Sequence, residues 1–394
     1  MINTKKYNVL ISPSWYPNKD CILSANFIQK HVNVIAEKNN IAVAYAHGTA
    51  DLKKTFDLVC ENINGVETIV CYYKLNKIPV IKTIINGFRY FIAHCSAISK
   101  GYKGLGKIDF IHVHVLTRAA IIPFFMKVFM NIPYFISEQS TRYVREGGFN
   151  GYFRKLLTML IVKKSLGISV ISEALRDGMN SHKLIHENFF IIPNCVNNQI
   201  FYPSHDKNKN DSRWRFLHVS RLEQKAKNVK GILDSIKLLG MKNQQVELHI
   251  VGDGPERIEM EAYRDSLELT NVLFHGNLHG VQLVEQYHKA DLFILFSNYE
   301  TQAVVVTEAL FCGLPVIATK LPALQEYLHE ENSKLVNVND KNSLVLTLLD
   351  FIDGKLAFWG KDKISEEAYQ RFSNDCIKQK FIEFYSLINA KKNN

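Results

Sequence analysis

The residues best suited to chemistry lie in the second half of this 394-residue chain. A short apolar run over 292–296 leads into Ser297-Asn298-Tyr299-Glu300-Thr301-Gln302-Ala303, and an apolar helical stretch over 303–311 then carries Glu308. The first amides of a helix have no partner within it and carry partial positive charge, so this end attracts phosphate. Of the two carboxylates beside it, one could hold sugar hydroxyls and the other a ribose diol. An unpaired charge on an apolar helix is costly, which weighs against the competing reading of two plain surface glutamates.

Two further groups follow predicted strands in the same half. After 216–220 come Arg221, Lys225, Lys227 and Asn228. An arginine fork and a lysine point charge together neutralise a diphosphate, although a solvated basic loop is equally compatible. After 247–251 comes Gly252-Asp253-Gly254-Pro255. Glycines let a backbone approach a ligand closely and Pro255 suits a first helical turn, but a plain tight turn fits as well. No G-x-G-x-x-G follows a strand and opens a helix, so a dinucleotide fingerprint is absent. No D-x-D-like carboxylate pair stands at a strand end, and neither a metal nor a cofactor is expected.

The elements that must position these groups alternate along the whole chain. Strands are predicted over 8–12, 41–46, 108–115, 134–137, 168–171 and 189–193, with a helix over 26–37. The polar stretch 202–212 reads as a linker. Strands then recur over 216–220, 247–251, 272–274, 292–296 and 315–318, with helices over 229–239, 257–269, 280–289 and 303–311 and a last helix over 374–387. This is the pattern of βαβ units: an α/β protein of two doubly wound, Rossmann-like domains facing across a cleft, at 1–203 and 204–373, with 374–394 crossing back to the first. Hydrophobic residues make up 47% against 22% charged, which excludes disorder and low complexity. Seven scattered cysteines without C-x-x-C argue against a disulfide framework or zinc site. No apolar run reaches a bilayer's span, and the amino terminus lacks a leader's apolar region and cleavage site, so a cytoplasmic protein is expected. The net charge of +10 is uneven: residues 1–203 carry 24 Lys and Arg against 12 Asp and Glu, whereas 204–394 carry 24 against 26. The first half therefore expects an anionic partner.

Glu300-x7-Glu308 followed by Ala-Leu-x-Cys-Gly-x-Pro-Val-Ile-Ala-Thr resembles the donor-site signature of retaining GT-B glycosyltransferases of family 4. Ser220-Arg221-Leu222 with Lys227-Asn228, the turn at Gly252–Pro255, and Phe274-His275-Gly276 arrive in that family's order. The resemblance implies that Arg221 and Lys227 bind the diphosphate, Glu308 the ribose, and Glu300 the transferred sugar with the amides of Thr301, Gln302 and Ala303. It also brings Gly252, Gly254, His275 and Gly276 to the donor. Where the family usually has Phe-Gly, this chain has Thr301-Gln302-Ala303. Lys225 competes with Lys227 for the phosphate role.

In the first half, Asp109-x-x-His112-x-His114 resembles the family's D-x-x-H-x-H element and makes His114 the acceptor-side, catalytic candidate; a core histidine satisfied by backbone is the alternative. Trp15 in Ser14–Asn18, Asn26 in Ser24-Ala25-Asn26-Phe27 and Glu138 in Ser137-Glu138-Gln139-Ser140 join it on the acceptor side. Basic residues interleave with aromatics over Tyr72–Lys107 and Arg142–Lys164, a composition suited to an anionic membrane surface or to a solvated face over ordinary core.

These readings converge on a metal-independent hexosyl- or N-acetylhexosaminyltransferase. It would take a UDP- or GDP-sugar donor and a glycan or lipid-linked acceptor in bacterial surface polysaccharide synthesis, at the inner face of the cell membrane. A non-hydrolysing nucleotide-sugar epimerase is the rival enzyme. A nucleic-acid-binding protein is the rival of another class, disfavoured because no such motif accompanies the charge.

Overall fold

The computed structural model describes residues 5–20, 26–116, 118–145, 147–205, 213–241 and 245–390. Two compact units result: Met1–Asn194 with Ile377–Asn394, and Cys195–Cys376.

The first unit runs β1 (Asn8–Pro13), α1 (Asn26–Ala36), β2 (Asn40–Thr49), β3 (Phe56–Ile63), β4 (Val66–Lys74) and α2 (Lys82–Leu105). It continues with β5 (Phe110–His114), α3 (Ile121–Met130), β6 (Tyr134–Glu138), α4 (Tyr152–Lys164), β7 (Ile168–Val170), α5 (Glu173–Ser181) and β8 (Phe189–Ile191). These strands form one sheet in the order β3-β4-β2-β1-β5-β6-β7-β8. Every neighbouring pair is parallel except β3 with β4. The hairpin β3–β4 is absent from the sequence expectation. It turns at Asn64-Gly65, both at positive φ, the conformation that a two-residue hairpin loop requires.

The second unit runs β9 (Trp214–Val219), α6 (Gln224–Lys227), α7 (Val229–Gly240), β10 (Val246–Val251), α8 (Arg257–Ser266), β11 (Val272–Phe274) and α9 (Gly280–Lys289). It ends with β12 (Leu292–Leu295), α10 (Val304–Phe311), β13 (Val316–Thr319), α11 (Pro322–Gln325), β14 (Ser333–Val336), α12 (Lys341–Ile352) and α13 (Lys361–Phe372). Its six strands are all parallel, in the order β11-β10-β9-β12-β13-β14. Both faces of a parallel sheet are covered by helices, so strands such as β12 are buried at every position.

The expected boundary at 203/204 moves to 194/195. Val196 is fully buried in the second unit and its amide donates to Phe372 O at 2.9 Å, so the chain has already entered that core before the polar stretch begins. Residues 206–212 of the expected linker lie outside the described residues.

The last helix, α14 (Asn374–Ala390), belongs to the first unit from Ile377 onward. Phe384 packs edge-on against Phe135, with centroids 4.8 Å apart, and at a tilt against Phe190 at 5.2 Å. The Tyr385 hydroxyl reaches His112 Nδ1 at 2.7 Å inside that core. Phe384 is fully buried, so Phe384→Ala should destabilise the first unit by about 3–5 kcal/mol. Denaturant unfolding checks this; a loss below about 1 kcal/mol would mean that α14 only rests on the surface.

Candidate active site

Parallel strands deliver their loops to one edge, and in the second unit those loops are laced together by backbone. Ser220 N donates to Val251 O at 3.0 Å, Leu222 N to Asp253 O at 3.0 Å, and Gly252 N to Gly276 O at 2.8 Å. This lacing explains Gly252-Asp253-Gly254 differently from the sequence reading. A Cβ on Gly252 would lie 1.8 Å from Ser220 O, and one on Gly254 would lie 2.3 Å from Leu222 O. The close approach that these glycines permit is made by the neighbouring loop of the chain itself.

The loop after β9 holds three cations in different settings. Arg221 and Lys225 are exposed, whereas Lys227 is half-buried at the end of α6. Asn298 fastens this segment to the loop after β12: its amide donates to Ala226 O at 2.8 Å and its Nδ2 to Lys225 O at 3.0 Å. That latch brings Lys227 Nζ to 2.5 Å from Glu300 Oε1, an ion pair with side chains 19% and 8% exposed. Ser297 Oγ donates to the same carboxylate oxygen at 2.8 Å, and Thr319 Oγ1 holds Ser297 O at 2.7 Å. Geometry thus separates the two lysines, since Lys227 meets Glu300 and Lys225 points to solvent.

Thr301, Gln302 and Ala303 are buried and lead into α10, whose amino end has no side-chain cap. Glu308 lies on α10, also buried, and accepts from the Tyr287 hydroxyl at 3.3 Å. Burial and the nearby Glu308 carboxylate hold the Tyr287 phenol well above its ordinary value, so it stays protonated and able to donate. The His275 ring stacks on His249 with centroids 5.0 Å apart, and its Nε2 lies 2.8 Å from His249 Nδ1. That ring nitrogen is therefore engaged inside the protein; beside it, Gly276 sits at φ +69.

The acceptor-side candidates of the first unit separate. Trp15 and Asn26 are exposed, and Ser24 and Ala25 of the same predicted loop lie outside the described residues. Glu138 is as fully buried as His114, but both of its carboxylate oxygens are engaged within the protein, which corrects its assignment to the acceptor. Its carboxylate accepts the amides of Leu116, Gln139 and Ser140 at 2.8–2.9 Å and so ties together the loops after β5 and β6. Burial pushes its pKa up, opposed by Arg142 and those amides. One of the tied loops is strained: Val115 has φ +65, an outlier for a β-branched residue. Its amide is held by Ser137 O at 2.8 Å and its carbonyl by Ser14 Oγ at 2.8 Å.

His114 precedes Val115. It is fully buried, and neither ring nitrogen has a hydrogen-bond partner among the described residues, so it is not the backbone-satisfied core histidine of the alternative reading. The His112 ring lies 4.2 Å away. Sequence reasoning missed Ser297, Tyr287 and the strain at Val115. Ser297 could have been found as the hydroxyl three residues before Glu300; the other two have no local signal.

Residues 204–371 match the family model described as glycosyl transferases group 1. This domain belongs to that family. Across the chain, an uncharacterised glycosyltransferase of Methanocaldococcus jannaschii is 24% identical over 348 residues, covering 83% of this chain and 86% of that protein. Sucrose-phosphate synthase from Thermosynechococcus elongatus superposes with a TM-score of 0.75 at 18% identity, covering 98% of this chain and 100% of that one. HepE of Anabaena, in complex with UDP and glucose, gives 0.71 at 15% identity, covering 97% and 100%. The group 1 domain and its amino-terminal companion share the two Rossmann-like domains of the GT-B fold with these structures.

Burial lowers His31 to about 4 and His94 and His112 to about 3, and it holds His114 well below the usual imidazole range. His218 in the group 1 domain is lowered to about 4 in the same way. These rings are neutral when folded and take up protons on unfolding below about pH 6.5, so stability is lost as pH falls through that value toward about 3–4. Each ring contributes up to about 1.4 kcal/mol per pH unit in that window. Urea midpoints should drop between about pH 7 and pH 5; a constant midpoint would contradict neutral buried rings.

Proposed function

We propose that the chain is a retaining GT-B glycosyltransferase of family 4. It moves a sugar from a UDP- or GDP-linked donor to a hydroxyl of a glycan or lipid-linked acceptor. The observation that carries this reading is the Lys227–Glu300 pair beside the uncapped amino end of α10, in a domain of glycosyl transferases group 1. A diphosphate arriving there takes Lys227 as its cation and frees Glu300 for the hydroxyls of the sugar. Arg221, exposed on the adjoining loop, adds a second charge, and Glu308 holds the ribose with its carboxylate oriented by Tyr287.

As the glycosidic bond breaks, negative charge grows on the leaving diphosphate. Fixed helix amides and two cations stabilise it, and no metal enters the reading. With the leaving group and the incoming hydroxyl on one face of the sugar, a phosphate oxygen accepts the hydroxyl's proton, and the configuration is retained. His114, whose ring stays neutral, is the acceptor-side polar group of this scheme.

The acceptor is proposed to lie at a membrane. Three helices of the first unit carry apolar stripes that face outward. On α2 these are Ile84, Phe88, Phe91 and Ile92; on α3, Phe125, Val128 and Phe129; on α4, Phe153, Leu156, Leu157 and Leu160. Their spacing of three and four residues marks one face of each helix, and Phe129 and Phe153 are 78% and 84% exposed. Between Leu75 and Ser137 the sequence has eight Lys and Arg and a single acidic residue, Asp109. Apolar stripes among unopposed cations suit the inner, anionic face of a cell membrane. Not every aromatic in the basic stretches contributes: Tyr72, Tyr73, Tyr90, Tyr143 and Phe149 are buried core residues.

A thermal-shift panel of UDP- and GDP-sugars tests the donor site, since a ligand of the folded state raises the melting temperature. One of them should shift the unaltered protein, and Lys227→Ala and Glu308→Ala should each abolish transfer while remaining folded. Unchanged turnover in both variants removes the site assignment, and turnover of the donor without acceptor points to the epimerase. For the surface, the paired change Phe129→Ser with Phe153→Ser should release the protein from anionic vesicles in a sedimentation assay; undiminished binding would exclude these stripes.

A further inference from the structure

Ala303, the residue before α10, has φ +60 and ψ +77. Its Cβ makes this left-handed conformation costly, whereas glycine adopts it freely. Two carbonyls near it, Gln302 O just before it and Val305 O two residues after it, are gripped from outside the turn. Gln302 O accepts the hydroxyl of Tyr327, and Val305 O accepts the Tyr287 hydroxyl at 3.1 Å. Tyr327 follows α11 and is 4% exposed, its ring packed edge-on against Phe372 with centroids 5.3 Å apart. Tyr287 projects from α9 and is 1% exposed.

A peptide unit is planar and trans, so fixing one carbonyl fixes the following amide in the opposite direction. With Gln302 O turned into the core toward Tyr327, the Ala303 N–H points away from that core. It joins the free amides of the first turn of α10. Within the turn, Val306 N holds the Ala303 carbonyl at 2.9 Å, but nothing there holds the Gln302–Ala303 peptide, which without the hydroxyl is free to rotate toward a cheaper conformation.

We propose that Tyr327 is a positioning residue, whose hydroxyl fixes the Gln302–Ala303 peptide so that the amides before α10 face the donor's phosphates and sugar. This rests on the donor-site reading above and adds to it a residue that touches no substrate. Tyr287 differs: the amide that follows Val305 O is already bonded to Ala303 O, and the one hydroxyl proton of Tyr287 is shared between Val305 O and Glu308.

The test is Tyr327→Phe, which keeps the packed ring and removes only the hydroxyl, read by donor kinetics and by titration calorimetry with UDP and GDP. KM for the donor and Kd for the cognate diphosphate should rise about tenfold, with kcat changed by less than about threefold. Ala303→Gly in the Tyr327→Phe background should bring Kd back to within about threefold of the unaltered protein, because glycine removes the cost of the left-handed turn. A purely structural tyrosine would not be rescued by a glycine at 303. Binding of UDP or GDP that is equally tight in Tyr327→Phe, or weakened binding that Ala303→Gly leaves weak, overturns the proposal alone. If neither diphosphate binds the unaltered protein, the donor-site reading falls and the proposal with it.

Discussion

The ion pair between Lys227 and Glu300 is the contact on which the group 1 domain's site depends. Both groups are partly withdrawn from water, so stripping either partner from the pair leaves the other poorly compensated. The pair also spans two loops, after β9 and after β12, that no strand pairing joins at this point. Asn298 makes the span possible by bonding the backbone of Ala226 and Lys225, and Ser297 fixes the carboxylate from below. In the function proposed here a diphosphate beside Lys227 would offer the lysine a new anion and leave Glu300 to accept from sugar hydroxyls, so that both charges stay compensated, which a lone lysine or a lone glutamate would not be.

Both units place strain where a strand ends beside candidate chemistry, and both hold it with buried side chains. In the first, Val115 at φ +65 follows His114, and Glu138 binds the amide of the next residue, Leu116. In the second, Ala303 at φ +60 follows the Glu300 loop, and two tyrosines hold the carbonyls of Gln302 and Val305. Neither position is a glycine, so neither conformation is intrinsically favourable, and each persists because the surroundings over-determine it. Glu138 shows how such a residue is misread. A carboxylate within a family-like element invites a role at the acceptor, yet its oxygens are spent on three amides.

Alternating apolar runs and helix-length segments were enough to read two doubly wound domains, because parallel strands buried on both faces are continuously apolar and hard to mistake. The hairpin β3–β4 escaped because β3, at the sheet edge, is mostly exposed and mixes Asp57, Glu61 and Asn62 with apolar residues in no regular alternation, although Asn64-Gly65 marked its turn. Arg221, Lys227 and Glu300 were legible as candidates because each lies on the first segment after a strand, whereas Glu308 was read from its charge on an apolar helix. What supports them was not. Asn298, Tyr287 and Tyr327 act across 21 to 73 residues of chain, and only the fold reveals which tyrosine reaches which carbonyl or carboxylate.

Exposure sorts the basic aromatic stretches in a way that composition cannot. Tyr90 and Phe91 are neighbours on α2, yet one lies against the sheet and the other faces out, because a helix turns each successive side chain by about 100°. The stripe of α3 was hidden for a related reason: its exposed Phe125, Val128 and Phe129 separate from its buried Ile122 and Pro123 only once the helix is laid on the sheet. A helix that is apolar toward both the core and the outside gains nothing from water on its outer side. Under the membrane reading proposed above, another apolar phase would cover such a face, and the surrounding lysines and arginines, with one acidic residue to oppose eight of them, would set the sign of that surface.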